Sequence, residues 1–117
     1  MHYQINTKRK IAEISEMIYG SFLEHHHRQI YGGVYDPSSP FADEDGFRED
    51  VMEAIRELKV PVIRWPGGCF VDDYHWYKGV GSKRVPSFDK NWKVEEPNTF
   101  GTDEFVKFCR KVGAEPY

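Results

Sequence analysis

The residues of this chain best suited to chemistry are an arginine, an indole and a cysteine gathered around two glycines. They form the segment Arg64-Trp65-Pro66-Gly67-Gly68-Cys69, which directly follows the apolar run at residues 60–63. Such a run predicts a short buried strand, and two glycines after it let the backbone turn sharply and approach a ligand closely. In parallel α/β proteins, ligands bind at the carboxyl ends of the strands. The segment therefore predicts a binding site.

A carboxylate occupies a comparable position nearer the start of the chain. Glu24 follows the apolar pair Phe22-Leu23, which predicts that it ends a strand at the same edge of the sheet. A carboxylate in that place could accept hydrogen bonds from sugar hydroxyls or act as a general base. A solvated or ion-paired glutamate is the alternative, and the residue by itself leaves both interpretations open.

The chain between residues 70 and 92 is rich in aromatic rings. Flat rings stack on the C–H faces of sugars, so such a loop suits a carbohydrate ligand. The alternative is a loop that is packed down by its own rings, and we expect Trp76 to pack in this way. Asp72 and Asp73 lie in the same loop and are interpreted as loop-capping residues.

Three consecutive histidines suggest a different chemistry. His25 and His27 would share one face of an extended strand, and such a pair at a strand end suits a zinc site in metal-dependent barrel hydrolases. The sequence offers no identifiable third ligand. A metal-dependent (β/α)8 hydrolase is therefore kept as an alternative, while the prediction is that the protein has no metal and no cofactor.

Two amphipathic helices are predicted, over residues 47–59 and 102–112. The apolar stripe of the first comprises Phe47, Val51, Ile55 and Leu58. The apolar stripe of the second comprises Phe105, Phe108, Cys109 and Val112. Asp45 and Thr102 are the predicted N-terminal caps, and Gly113 is the predicted stop of the second helix.

The predicted order of elements is strand, helix, strand, helix, strand. This order predicts parallel strands joined by crossover helices. The strand-to-helix loops are about 20 and about 35 residues long, where a few residues are typical, whereas the helix-to-strand connections are very short. Long loops on one face are typical of a (β/α)8 barrel, in which that face carries the function.

Several motifs in this order resemble glycoside hydrolase family 51, whose members are chiefly α-L-arabinofuranosidases. Besides Arg64-Trp65-Pro66-Gly67-Gly68, they occupy residues 18–25, 30–33, 43–48, 74–76, 79–81, 98–105 and 113–117. The resemblance covers almost the whole chain. It implies the N-terminal part of a (β/α)8 TIM barrel: residues 18–117 would form its first β/α units, and residues 1–17 would be a strand segment of an accessory β-sandwich.

The resemblance also implies roles for single residues. Glu24 would be the sugar-binding glutamate of the glycone subsite, Trp92 would line the site, and Arg64 would lie beneath it and support its carboxylates. Cys69 stands where many members have asparagine, and a thiol is a weaker donor to a substrate hydroxyl; a small residue packed beneath the loop is the alternative. The catalytic acid/base and the nucleophile would end strands four and seven, beyond Tyr117, so no catalytic residue is expected in this chain.

The activity implied by the resemblance is that of a retaining glycoside hydrolase. It would release terminal α-L-arabinofuranosyl residues from arabinose-containing polysaccharides and oligosaccharides. The chain would be an N-terminal fragment, inactive alone, of an enzyme that is expected to be a homo-oligomer. A non-catalytic carbohydrate-binding module that uses the aromatic loop is a further alternative, and a native gene ending at Tyr117 would favour it.

Charge and apolar patterning argue against other classes of partner. A net charge of -3 in 117 residues argues against nucleic acid or an anionic membrane surface. The sequence has no apolar run of about 18 residues that could span a membrane, and residues 1–8 lack the apolar core of a secretory signal. Cys69 and Cys109 form no metal pattern and are expected to be reduced thiols. A cytoplasmic protein is therefore predicted.

Overall fold

Three parallel strands form the larger of the two sheets of the molecule. The computed structural model describes residues 1–117, which contain five strands and two α-helices. They are β1 Ser21–Phe22, α1 Glu49–Leu58, β2 Val62–Arg64, β3 Ser87–Asp89, β4 Val94–Glu96, α2 Thr102–Val112 and β5 Glu115–Pro116. The central sheet has the order β1-β2-β5, and both neighbouring pairs are parallel. The predicted alternation of parallel strands and helices is confirmed.

Parallel pairing brings the carboxyl ends of the strands to one edge of the sheet. Phe22 of β1 pairs with Arg64 of β2. Backbone hydrogen bonds from the Leu23 N–H to the Arg64 carbonyl (2.8 Å) and from the Trp65 N–H to the Tyr117 carbonyl (2.9 Å) continue the ladder beyond the strands. The loops that follow β1 and β2 therefore start side by side. The outer edges of β1 and β5 have no partner strand.

The hydrophobic core lies among the two helices, β2 and the long loops. The predicted stripe of α2 is buried throughout, and α2 ends at Gly113, which has φ 79° as its predicted role requires. The predicted stripe of α1 is partly wrong, because Met52 is its buried residue and Leu58 is 75% exposed. Leu58 lies in an apolar groove beside Phe22, at the open edge of the sheet.

The helix caps differ from the predicted ones. α1 begins without a side-chain cap, and Asp45 forms an ion pair with Lys111 instead. α2 begins after Gly101, whose N–H donates to the Oε2 of Glu104 at 2.8 Å. Thr102 is therefore not the cap, because a glutamate at the third helical position already satisfies the free N–H.

The loop between β2 and α2 contains a hairpin that was not predicted. Its strands β3 and β4 pair antiparallel. The Oδ1 of Asp89 accepts the N–H groups of Asn91 and Trp92 at 2.8 and 3.1 Å, which fixes the turn. At the base, the side-chain amide of Asn98 donates to the Val85 carbonyl at 2.7 Å. Aspartate and asparagine at such spacing are turn-forming residues, and they were the signal available in the sequence.

Residues 1–15 contain neither a helix nor a strand, and every one of them is exposed. A turn closes with a 3.1 Å hydrogen bond from the Arg9 N–H to the Asn6 carbonyl, and the 3₁₀ turn Glu16–Tyr19 leads into β1. The assignment of residues 1–17 to an accessory β-sandwich stays a prediction, since a sandwich strand needs neighbouring strands. None of the helices has the length and apolar character needed to cross a membrane.

Candidate functional site

Glu24 lies at the carboxyl end of β1, with its carboxylate against Gly68. Gly68 has φ 63°, and a Cβ atom added to it would overlap the Oε1 of Glu24 and lie 2.9 Å from the Oε2. Such a backbone angle favours glycine, and the lack of a side chain leaves the space that the carboxylate fills. The loop after β2 therefore forms a wall around the half-buried Glu24.

Arg64 ends β2, and its guanidinium lies against Gly67. A Cβ atom added to Gly67 would meet the Cζ of Arg64 at 2.7 Å. The same guanidinium lies 5.5 Å from the centroid of the Phe22 ring, in a cation–π arrangement. The arginines that form ion pairs in this chain are Arg48, Arg56 and Arg84. Arg64 is not among them, so its predicted support of catalytic carboxylates stays a prediction.

Cys69 and Trp92 reach the same end of the sheet from different directions. Cys69 is exposed, and its carbonyl accepts the side-chain amide of Asn91 at 2.7 Å. Trp92, next along the hairpin tip, meets the ring of His26 edge-on with a centroid distance of 4.2 Å. Since His26 lies two residues after Glu24, the tip of the hairpin lies over the end of β1. The structure thus brings Glu24, Cys69 and Trp92 to one place.

A fully buried histidine links this end of the sheet to the hairpin. His25 is 1% exposed, and its Nε2 lies 2.8 Å from the Oε2 of Glu96 on β4. On the opposite side of the ring, the indole N–H of Trp65 donates to Nδ1 at 3.2 Å. The imidazole also stacks on Phe70, with 4.2 Å between the ring centroids. Both ring nitrogens are therefore used inside the protein.

The indole of Trp65 decides where the proton of His25 lies. An indole N–H only donates, so Nδ1 accepts, and the single proton of the neutral imidazole is on Nε2, from which it is donated to Glu96. The Oε1 of Glu96 accepts the hydroxyl of Tyr31 and, at 2.8 Å, the N–H of Asn98. Burial by itself would raise the pKa of Glu96, but the adjacent His25, with the hydrogen bonds from Tyr31 and Asn98, outweighs it and holds the pKa below its ordinary value. Glu96 is therefore a buried, ionised carboxylate with three donors.

The arrangement gives no support to a metal site at His25 and His27. Neither ring nitrogen of His25 is free to bind an ion, since each already has a hydrogen-bond partner. His27 opens a 3₁₀ turn with φ 24° and does not continue an extended strand. Three acidic side chains lie close enough together to bind a cation, and they are Asp43, Glu44 and Asp45. Each of them forms an ion pair with Lys111 instead.

The second loop also encloses a polar cleft. The cleft has a volume of about 390 Å³ and lies between the hairpin and residues 70–78. An ion pair between Asp73 and Lys90, 2.9 Å long, lies in its wall. The cleft adjoins the candidate site without including the carboxylate of Glu24. Trp76, on the same loop, is 63% exposed with its ring edge-on to Tyr77, so the prediction that Trp76 packs is wrong.

Comparison with known proteins decides the family. Residues 54–117 match the α-L-arabinofuranosidase 1 domain. The solved structure of a thermostable family 51 α-L-arabinofuranosidase from Thermotoga petrophila matches with a TM-score of 0.89 and 54% identity over 94% of this chain. The chain belongs to glycoside hydrolase family 51. In this family, α-L-arabinofuranosidase C of Emericella nidulans is 53% identical over 97% of the chain. An intracellular exo-α-(1→5)-L-arabinofuranosidase of Acetivibrio thermocellus is 54% identical over 91% of it.

The resemblance to family 51 that the motifs carry is confirmed by these matches. The chain spans 23% of the Thermotoga structure and 23% and 22% of the two curated relatives. Within this part of a family 51 protein, the structure adds Glu96, which sequence reasoning missed, and gives His25 a hydrogen-bonding role in place of the metal-binding one considered for it. They are 71 positions apart along the chain, so no local pattern could have joined them.

Proposed function

We propose that this chain forms part of the sugar-binding site of a retaining α-L-arabinofuranosidase. The full-length protein would release terminal α-L-arabinofuranosyl residues from arabinose-containing polysaccharides and oligosaccharides. One observation carries the proposal: Glu24, Cys69 and Trp92 converge at the carboxyl ends of β1 and β2. A carboxylate, a small polar group and an indole offer hydrogen bonds and a stacking surface, which are what a sugar ring requires.

The proposed fold of the full-length protein is a (β/α)8 barrel. The parallel order β1-β2-β5 leaves an unpaired strand edge on each side. At the open edge of β1, the apolar side chains of Phe22 and Leu58 are 62% and 75% exposed. In a closed barrel every strand has two neighbours and the helices form an outer ring. Further β/α units would therefore cover both edges and these apolar side chains.

Each residue of the candidate site has a distinct proposed role. Glu24 accepts hydrogen bonds from sugar hydroxyls, and its position against Gly68 restricts how its carboxylate can rotate. Trp92 supplies a ring face, and Cys69 a weak hydrogen bond. Arg64 orients the floor of the site through its contact with Phe22. These residues bind and orient the sugar, while proton transfer and nucleophilic attack belong to carboxyl groups elsewhere in the full-length protein.

The chemistry of a retaining enzyme explains why binding residues matter to the rate. Two carboxyl groups about 5–5.5 Å apart perform a double displacement through an oxocarbenium-like transition state. Hydrogen bonds to the sugar hydroxyls strengthen as this transition state forms. Glu24 thus contributes to the chemical step without touching the glycosidic bond. We also propose a cytoplasmic location, which the unpaired thiols of Cys69 and Cys109 support.

Replacement of Glu24 tests the proposed function. In the full-length protein, Glu24→Ala should remove about 2–4 kcal/mol of transition-state stabilisation, which lowers kcat/KM roughly 30- to 900-fold. Kinetics on an aryl α-L-arabinofuranoside measure this loss. Glu53→Ala is the matched control, because Glu53 is an exposed glutamate on α1 and its loss should leave the kinetics unchanged. If Glu24→Ala behaved like the control, the sugar-binding role would be wrong.

A further inference from the structure

The hairpin that carries Trp92 is attached to the sheet through a single buried side chain. Among residues 87–96, Glu96 alone is buried, with 3% of its surface exposed. Its two side-chain partners, His25 and Tyr31, lie on the loop that follows β1. The contacts made by the tip, from Asn91 to Cys69, from Lys90 to Asp73 and from Trp92 to His26, are exposed or only partly buried. The orientation of the hairpin therefore depends on the hydrogen bonds of Glu96.

We propose that Glu96 is a positioning residue that acts through His25 to hold Glu24 and Trp92 in place for sugar binding. This inference rests on the proposed function. His25 directly follows Glu24, and its backbone N–H donates to the Pro66 carbonyl at 2.7 Å. The imidazole also accepts the indole N–H of Trp65, so His25 fixes the end of β1 against the start of the loop after β2. The carboxylate of Glu96 fixes the hairpin, and with it Trp92, to the same imidazole.

The hydrogen-bond pattern explains why a carboxylate is required at residue 96. Three donors point at Glu96: the Nε2–H of His25, the hydroxyl of Tyr31 and the N–H of Asn98. An ionised carboxylate has only acceptors, so it satisfies all three. A glutamine would turn an NH₂ group toward one of these donors. His25 cannot relieve the clash by moving its proton to Nδ1, because the indole N–H of Trp65 already occupies that side.

Two neighbouring glutamates provide a matched pair of variants. Glu96→Gln and Glu95→Gln each remove one charge from β4, but Glu95 is exposed. In the full-length protein, Glu96→Gln should raise KM for an aryl α-L-arabinofuranoside about tenfold, because the hairpin no longer holds Trp92 against the sugar. It should also speed amide hydrogen exchange in residues 87–96. Glu95→Gln should change neither quantity by more than about twofold.

A second variant separates positioning from general destabilisation. Trp65→Phe removes the indole N–H, so His25 can carry its proton on Nδ1 and accept the amide of a glutamine at residue 96 through Nε2. Glu96→Gln should therefore raise KM less in the Trp65→Phe background than in the wild type. A loss of packing alone predicts an equal or larger rise of KM in the Trp65→Phe background, since two destabilising changes would add or reinforce each other.

The outcomes distinguish this inference from the proposed function. A wild-type protein without arabinofuranosidase activity would refute the proposed function, and hydrogen exchange would still decide whether Glu96 anchors the hairpin. If the wild type is active and Glu96→Gln leaves KM within twofold of the Glu95→Gln value, the positioning role is refuted. Faster exchange with an unchanged KM also refutes it, because the hairpin would then be anchored without serving the site.

Discussion

Substitution of Gly68 should displace the carboxylate of Glu24 while leaving the fold in place. Gly68→Ala would put a Cβ atom onto the Oε1 of Glu24 at a backbone angle of φ 63°. The strain of a left-handed alanine costs about 1–2 kcal/mol of folding free energy. The flexible carboxylate must also move by on the order of 1 Å, and a displacement of this size can lower a rate about 100-fold. We expect kcat/KM of the full-length protein to fall by this factor, which corresponds to about 2.7 kcal/mol.

Gly81 supplies the control for this experiment. It has φ 72°, and a Cβ atom added to it would meet nothing within 4 Å. Gly81→Ala therefore carries the same backbone strain without touching Glu24. Thermal unfolding should show similar losses of stability in the two variants, while steady-state kinetics on an aryl α-L-arabinofuranoside should show a large loss only in Gly68→Ala. Equal kcat/KM values for the two variants would refute the placement of Glu24 in the site.

Three further predictions concern the chain alone and its titratable groups. The isolated chain should show no hydrolysis of an aryl α-L-arabinofuranoside above a mock preparation, because the catalytic carboxyl groups are expected elsewhere in the full-length protein. It should also show no sharp thermal transition, because its sheet edges are open. Turnover, or a cooperative transition in a monomer, would contradict these expectations. In the full-length protein, a bulky thiol reagent should label the exposed Cys69 quickly, and arabinose should slow that labelling. Burial raises the pKa of Cys109 to about 12 and should keep its thiol unreactive. Labelling of Cys69 with full activity retained would place its thiol outside the pocket. Burial would raise the pKa of Asp43, but hydrogen bonds from Lys111 and from the N–H groups of Phe47 and Asp45 together outweigh it and lower that pKa. The stability that these contacts add is therefore complete above the ordinary aspartate pKa and is lost as the pH falls through the lowered value. Lys111→Met should weaken this acid dependence, which urea unfolding of the full-length protein across the acid range would measure, and an unchanged dependence would refute the role of Lys111.

A buried, charged hydrogen-bond cluster beside a binding site has a general physical consequence. Burying a carboxylate is costly unless all its hydrogen bonds are made, so the cluster tolerates only the arrangement in which every donor is matched. Apolar contacts are less directional and would permit the hairpin to shift. The polar link between Glu96 and His25 therefore suits a place where the position of Trp92 matters more than the stability gained.

The sequence by itself determined the order of the two helices and the three parallel strands, though not the hairpin of β3 and β4, and it predicted where a binding site would lie. The stripe of α2, with Phe105 and Phe108 buried, follows from spacing along one helix. The arrival of Glu24 and Cys69 at one edge of the sheet follows from parallel strands, because their carboxyl ends coincide. The errors lay where local signals compete: Asp45 and Thr102 are both good caps in sequence, yet neither caps a helix in the structure.

Only the tertiary structure decided the roles of Glu95 and Glu96. The two residues are adjacent, identical and both lie in β4, so their sequence context does not distinguish them. Successive side chains of a strand point to opposite faces, and a change of one residue in register exchanges the faces. The packing of the hairpin on His25, 71 positions away, turns Glu96 inward and leaves Glu95 exposed. The contact between His25 and Glu96 forms because buried donors and acceptors match in three dimensions, and a local sequence pattern cannot predict such a match.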